Sequence, residues 1–298
     1  TVSDEHGATD NGTLTITING STDIPAVVGY YGLGLQSGNP TQTLSATASG
    51  TATAFDLENV NASDLSDVDV VLAQNPSTGA DLGGNEFENN PAIAAAINAG
   101  LVLILHDQGT GNNEVELTNT VPGMDNVVFT REIANDINLT SQAQDVSAST
   151  SIVSNGLAGS ITSDGNTSLD GANNSRHGFA ELSSLPDGAI PLLSTENSDE
   201  IVTFVYAHGD GHVIYSSIPI NRHMANNGTD PGSDNIRLVY APNLVQYAIT
   251  LVDANHTPIA VNDAGTATEA GGVNAGANAG GNVLSNDTDA ESDSFAVS

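Results

Sequence analysis

Cysteine and lysine are both absent from the 298-residue chain, and arginine occurs only four times. The lack of cysteine excludes disulfides, thiolate zinc sites, iron–sulfur clusters and a cysteine nucleophile. The scarcity of cations excludes nucleic acid as a partner, because phosphate binding needs clustered lysines and arginines. An acidic membrane surface is disfavoured for the same reason. The sequence contains no run of about 18 apolar residues, so it predicts no segment that spans a membrane.

Acidic residues dominate the charge: 36 Asp and Glu give a formal net charge of −32. Charged residues are nevertheless only 13% of the chain, so the acidity reflects missing cations more than abundant carboxylates. A hydrophobic content of 38% is enough for a folded core and argues against intrinsic disorder. Because the chain has no disulfides and many carboxylates, Ca²⁺ is the expected cofactor and stabilising cross-link.

Three segments differ in texture, and we expect domain limits at 1–25, 26–253 and 254–298. In the first segment Leu14, Ile16 and Ile18 alternate with threonine, which predicts a half-buried strand. The last segment combines short strand pieces with a Gly/Ala/Asn-rich stretch. The chain begins without methionine inside a strand pattern, so we interpret it as a piece of a longer protein.

The two ends resemble a known repeat family. The stretch TVSDEHGATDNGTLTITINGSTDIP resembles the closing strands of a VCBS-type repeat, and PIAVNDAGTATEAGGVNAGANAGGNVLSNDTDAESDS resembles the opening of the next. The resemblance implies partial Ig-like β-sandwich segments at both ends, with neighbouring Ig-like repeats of the same chain as partners. It further implies a giant RTX-type bacterial adhesin, loaded with calcium, exported by type I secretion and located outside the cell on its surface.

The middle segment has the rhythm of an α/β fold. The apolar run Val68–Ala73 predicts a strand covered on both faces. A helix over Ala92–Ala99, with proline at its start and glycine after its end, leads into the apolar run Leu101–Leu105. This strand–helix–strand unit predicts a mostly parallel sheet flanked by helices. Ile201–Tyr206 and His212–Ile218 predict a hairpin.

The middle segment also resembles a class I glutamine-amidotransferase-like, flavodoxin-like fold. The stretches DVDVVLAQNP, NAGLVLILHD and GDGHVIYSSIPI carry this resemblance. The nucleophile of that family is a cysteine, so the resemblance implies the fold without the activity. We also expect a closing helix over Leu238–Leu251.

Candidate ligand-binding residues follow the predicted strands, because ligands of open α/β sheets bind beyond the carboxyl ends of the strands. Two Arg-His pairs are notable in so acidic a chain, since arginine binds a carboxylate through two parallel hydrogen bonds. The alternative is that each arginine neutralises nearby aspartates. The candidate ligand-binding residues are His106, Asp107, Asn112, Arg176, His177, Arg222 and His223.

Candidate calcium ligands lie in the acidic run near the end, at both domain junctions and in the polar loop after residue 162. Oxygen ligands at alternate residues of a loop can wrap Ca²⁺, which takes six to eight oxygens. Solvated loops and ordinary turn chemistry remain the alternative. The candidate metal ligands are Asp23, Asp164, Asn166, Asp170, Asp253, Asp263, Asp287, Asp289, Glu291 and Asp293.

Signatures of catalysis are missing from the sequence. It contains no G-x-S-x-G elbow, no H-E-x-x-H and no lysine for a phosphate loop or Schiff base. We therefore expect a non-enzymatic, calcium-dependent adhesin module whose middle domain recognises a peptide end or a glycan on a host or other surface. The alternatives are a hydrolase on the amidotransferase-like fold and a rigid spacer without a ligand.

Overall fold

A computed structural model describes residues 2–3, 9–10, 26–31, 52–57, 60–75, 91–111, 121–161, 169–170, 175–225, 231–252 and 265. Its contacts divide the chain into two compact units. The first unit comprises Thr1–Ile24 and Ala254–Ser298, and the second comprises Pro25–Asp253. In the first unit β1 (Val2–Ser3) pairs antiparallel with β2 (Thr9–Asp10). The Ig-like segments expected there lie almost wholly outside the described residues and stay a prediction.

The second unit contains twelve described strands and several short helices. The strands are β3 (Ala26–Tyr31), β4 (Ala52–Asp56), β5 (Val70–Asn75), β6 (Val102–Asp107), β7 (Phe129–Ala134), β8 (Asn138–Leu139), β9 (Asn155–Gly156), β10 (Gly159–Ser160), β11 (Arg176–Glu181), β12 (Ile190–Ser194), β13 (Glu200–His208) and β14 (Gly211–Ser216). The α-helices are α1 (Ala62–Leu65), α2 (Pro91–Asn98), α3 (Ser141–Gln144), α4 (Ile220–Ala225), α5 (Pro231–Asn235) and α6 (Ala241–Leu251). Two 3₁₀ turns cover Ser149–Val153 and Leu182–Ser184, and a π-helical turn covers Ile236–Tyr240. Among these described helices, none is long and apolar enough to cross a bilayer.

Ten of the strands form one mixed sheet. Eight of them follow one another in the order β4-β3-β5-β6-β14-β13-β11-β7. The first five are parallel to one another, and β14, β13, β11 and β7 pair antiparallel. Strand β12 pairs with β13 and with β8, off this main path. The expected α/β class with a largely parallel central sheet is therefore confirmed, and the antiparallel half is an addition to it.

The predicted strand–helix–strand unit is present as β5, α2 and β6. Pro91 opens α2, where its missing N–H costs no hydrogen bond. Ile93 and Ile97 are buried against the sheet. Gly100 follows the helix with φ of 113°, a left-handed conformation that favours glycine, and the chain turns directly into β6.

Both faces of the sheet are covered, as the side-chain alternation of β6 demonstrates. Val102 and Ile104 join a hydrophobic cluster that includes residues of α6, whereas Leu103 and Leu105 join the cluster that includes α2. Such double coverage accounts for the uninterrupted apolar character of β6. Polar side chains begin only near the carboxyl end of β6, at residue 106.

The predicted hairpin and closing helix are also present, with small shifts in their limits. Strands β13 and β14 pair through a turn at Gly209, whose φ is 61°. The closing helix α6 begins at Ala241, because Pro242 is tolerated only in the first turn of an α-helix. The residues immediately before it form the π-helical turn.

Candidate functional site

His106 is the fifth residue of β6 and is completely buried. Its Nδ1 lies 3.0 Å from the carbonyl oxygen of Ile218, so Nδ1 carries the proton and Nε2 has only a lone pair. Within the described parts of the chain, Nε2 has no hydrogen-bond partner. Burial lowers the pKa of His106 to about 3, against the hydrogen bond to Ile218, and the charge of His223 lowers it further.

His177, the second residue of β11, has the same arrangement. Its Nδ1 donates to the carbonyl oxygen of Gln108 at 2.9 Å, and its Nε2 has no partner among the described residues. Burial lowers the pKa of His177, the hydrogen bond opposes this effect, and the charges of Arg131 and Arg222 add to it. At neutral pH this imidazole is neutral and offers one acceptor atom.

The charges of two of the four arginines therefore lower the pKa of His177. Arg131 lies on β7, and its Nη1 donates to the carbonyl oxygens of Gln108 at 2.9 Å and Thr110 at 3.2 Å. Arg222 lies exposed on α4, and no hydrogen bond or ion pair holds its guanidinium within the ranges that the structure describes. Arg222 is among the residues predicted from the sequence, whereas Arg131 is not, because the residues around Arg131 do not predict β7.

Asn221 connects α4 to the strand ends. Its backbone N–H donates to Gln74 Oε1 at 3.3 Å, and Gln74 Nε2 donates to the carbonyl oxygen of His106 at 3.1 Å. Gln74 and His106 are directly paired in the β5–β6 register, so the three residues form one contiguous group. The buried Oδ1 of Asn221 finds no partner in the described residues.

Asp107 supports the turn that follows β6. One carboxylate oxygen accepts from the Gly109 N–H at 2.8 Å, and the other accepts from the Tyr215 hydroxyl at 3.0 Å. Thr110 Oγ1 lies 2.7 Å from the same hydroxyl. Burial and then the charge of Asp107 raise the pKa of Tyr215 well above its usual value. Asp107, predicted to bind ligand, is thus committed to holding residues 107–110 in place.

Arg176 is separated from the other candidates. The Arg176 guanidinium and the His177 ring have different partners, carboxylates for Arg176 and the Gln108 carbonyl for His177. The buried Arg176 guanidinium forms ion pairs with Asp136 at 3.0 Å and Glu132 at 3.5 Å, and Nε donates to the Asp136 carbonyl at 3.1 Å. The structure therefore places Arg176 as the alternative describes, with its guanidinium on local carboxylates, and its role in ligand binding stays a prediction.

An open cavity of about 620 Å³ lies beside Arg176. Asp170 lines it and accepts from the Ile137 N–H at 2.7 Å. Burial raises the pKa of Asp170, and the negative charges of Asp136 and Glu196 raise it further. Within the described ranges, no three His, Asp or Glu side chains are grouped closely enough to hold a metal ion.

Most of the predicted metal ligands cannot be placed. Asp170 is the one that the structure describes. Those outside the described residues are Asp23, Asp164, Asn166, Asp253, Asp263, Asp287, Asp289, Glu291 and Asp293. Asn112, predicted to bind ligand, also lies outside them.

His223 has a serine partner. Its Nδ1 lies 2.9 Å from Ser233 Oγ, a distance compatible with a serine–histidine pair. Ser233 is only 3% exposed and His223 is fully buried. Both side chains are as buried as His106 and His177.

Comparisons with known proteins give no family. No family model matches the sequence, and no curated protein matches it. Two cytoplasmic proteins of Salmonella typhimurium are similar in structure, at 11% and 10% identity with TM-scores of 0.43 and 0.44. Each alignment covers 76% of this chain, with 97% and 100% of the Salmonella chains. An exo-β-1,4-mannosidase of an Opitutaceae bacterium aligns at 14% identity and a TM-score of 0.37, with 76% of this chain covering 36% of that enzyme. No family or activity follows for this chain from similarities at this level.

The expected location outside the cell, on a bacterial surface, is corrected by the same comparison. The two Salmonella structures are cytoplasmic proteins. The composition that suggested secretion is not specific to it, because cytoplasmic proteins also lack disulfides. The surface location and type I secretion are therefore withdrawn.

Proposed function

We propose that the second unit is a non-enzymatic recognition domain that binds a carboxylate-bearing ligand at the carboxyl ends of β6 and β14. One observation carries the proposal: Arg131 and His177 donate to the same carbonyl oxygen of Gln108. The His177 backbone N–H donates to Ser217, five residues before Arg222, so half of the arginines in a chain of net charge −32 belong to this region. Because the chain has only four arginines and no lysine, two arginines near the same strand ends favour an anionic ligand.

The chemistry of the three side chains fits a carboxylate. A guanidinium offers parallel N–H donors to the two carboxylate oxygens, and the exposed Arg222 has these donors available. A bound anion would offset the charges of Arg131 and Arg222 that lower the pKa of His177.

The test is a screen of peptides and glycans against the full chain, with D-glucuronate and trialanine as defined carboxylate probes. We expect Arg222→Ala to weaken carboxylate binding at least tenfold. Arg237→Ala is the matched control, because this substitution removes the same charge at another place, where Arg237 forms an ion pair with Asp234 at 2.8 Å. Unchanged binding in Arg222→Ala, or an equal loss in both variants, would contradict the proposal.

The flanking segments extend this proposal. We infer that 1–25 and 254–298 belong to Ig-like repeats, and that Ca²⁺ stabilises the acidic loops and junctions. The support is the resemblance of both ends to VCBS-type repeats, together with a net charge that bound Ca²⁺ would reduce. A rigid spacer without ligand is the outcome if the screen finds no binding.

A hydrolase is the second candidate, favoured by the 2.9 Å contact between His223 Nδ1 and Ser233 Oγ. Its test is labelling by a fluorophosphonate probe, with Ser233→Ala as the control variant. Because Ser233 is buried, we expect no labelling. Labelling that disappears in Ser233→Ala would establish a reactive serine and would favour the enzyme.

A further inference from the structure

Three buried acceptor atoms lie at the edge of the sheet where the proposed ligand binds. They are His106 Nε2, His177 Nε2 and Asn221 Oδ1, and none has a hydrogen-bond partner among the described residues. We infer that the ligand is an acidic sugar, which brings hydroxyl donors to these acceptors and a carboxylate to Arg222. The inference rests on the proposed function and narrows its ligand class from any carboxylate to a hydroxylated one.

Both histidines are limited to accepting at Nε2. Each uses its single proton at Nδ1, on the carbonyl oxygen of Ile218 or of Gln108, and a carbonyl oxygen can only accept. The Asn221 amide oxygen is likewise an acceptor only. Buried polar atoms in folded proteins nearly always have a partner, so three unsatisfied acceptors in one region call for a donor-bearing molecule.

Contacts show that these acceptors share one region. His106 Nδ1 donates to Ile218, and the His177 backbone N–H donates to the Ser217 carbonyl at 3.0 Å. Asn221 follows three residues later and is joined to His106 through Gln74. The three residues therefore lie at or beside 217–221, which comprise the short connection after β14 and the first two residues of α4, and Arg222 is the next residue of that helix.

The two arginines decide which donor fits. An ammonium group or a metal cation also satisfies imidazole lone pairs, but Arg131 and Arg222 would repel either one. A simple carboxylate binds the arginines yet brings no donor, and a peptide end adds few N–H groups to its carboxylate. A hydroxyl is neutral and donates to a lone pair, so a ring with several hydroxyls and one carboxylate matches both halves of the site.

The experiment is an NMR titration of the full chain, labelled with ¹⁵N in its histidine rings, at pH 7.5. The probes are D-glucuronate, D-glucose, acetate and trialanine. We expect D-glucuronate to bind at least tenfold more tightly than each of the others. We also expect it alone to shift the Nε2 resonances of His106 and His177, because hydrogen bonding to the lone pair changes their shielding.

Variants separate the two halves of the site. Asn221→Ala removes an acceptor, so it should weaken D-glucuronate binding and leave acetate binding unchanged, whereas Arg222→Ala should weaken both. Asn155→Ala is the matched control, since Asn155 is exposed on β9. An equal effect of Asn221→Ala on both probes would overturn the hydroxyl role.

The outcomes also separate this inference from the proposed function. If acetate or trialanine binds as tightly as D-glucuronate and Arg222→Ala weakens it, the sugar is refuted and carboxylate recognition stands. If D-glucose binds as tightly as D-glucuronate, the carboxylate is dispensable and both fail. Both fail as well if none of the carboxylates binds.

Discussion

Replacement of His106 by glutamine should remove a large part of the acid sensitivity of the second unit. Burial holds the pKa of His106 near 3 in the folded state, whereas an unfolded histidine titrates near 6.5. The unfolded state therefore takes up a proton that the folded state refuses, and stability falls as the pH drops below about 6.5. Glutamine keeps a donor for the Ile218 carbonyl but does not titrate.

The magnitude follows from the separation of the two pKa values. Each unit between the pH and the unfolded pKa is equivalent to about 1.4 kcal/mol, so His106 should cost about 2 kcal/mol at pH 5 relative to pH 7.5. The loss continues until the folded pKa is reached and totals about 5 kcal/mol near pH 3. Other groups titrate in both proteins, so the quantity to compare is the wild-type stability minus that of His106→Gln at each pH.

The assay is urea unfolding at pH 7.5, 6 and 5, followed by tyrosine fluorescence. The chain has no tryptophan, and all six tyrosines lie between residues 30 and 247, so the signal reports only on the second unit. His208→Gln, at the end of β13, is the control for removal of a histidine that is not fully buried. A difference between wild type and His106→Gln that stays constant from pH 7.5 to 5 would refute the reasoning.

Three further predictions use the same unfolding assay or calorimetry. Tyr215→Phe should lower stability by about 1–3 kcal/mol because it leaves Asp107 short of a buried donor, while the control Tyr247→Phe should change little; equal losses would contradict this. Gly178→Ala should lower the urea midpoint, since a Cβ there would lie 2.5 Å from the Thr130 carbonyl oxygen, and an unchanged midpoint would show that the strands can separate. Millimolar Ca²⁺ should raise the thermal midpoint of the full chain by more than about 10 °C over excess chelator, and no shift would mean that the acidic loops bind no calcium.

The parallel half of the fold was predictable because strands buried on both faces need uninterrupted apolar runs, which are visible in the sequence. The run Leu101–Leu105 is apolar on both faces, and the proline and glycine around α2 mark its limits. Strand β11 was not predictable in this way. It begins with Arg176 and His177, and an ion pair with Asp136 rather than apolar packing allows the arginine to be buried. Hydropathy alone does not identify such a strand.

The candidate site was predicted in part for the same reason. The rule that ligands bind at the carboxyl ends of strands placed His106 and Arg222 in one region. The contribution of Arg131 depends on the pairing of β7 with β11, a contact between segments about 45 residues apart. The separate contacts of Arg176 and His177 could not be predicted from their adjacency, because their partners Asp136 and Gln108 are distant in sequence.

The pairing of β6 with β14 has a consequence for the order of folding. Strands β3 to β6 form from a nearly continuous stretch of chain, and β13 and β14 are joined by a tight turn. The register that brings Val102 beside His212 closes a loop of about 110 residues. Closing a loop of that length costs conformational entropy before the contacts between the strands form, which slows folding. The two halves of the sheet should therefore assemble separately and pair with each other late. The proposed ligand site, whose residues come from both halves where β6 pairs with β14, would then be the last part of the domain to form.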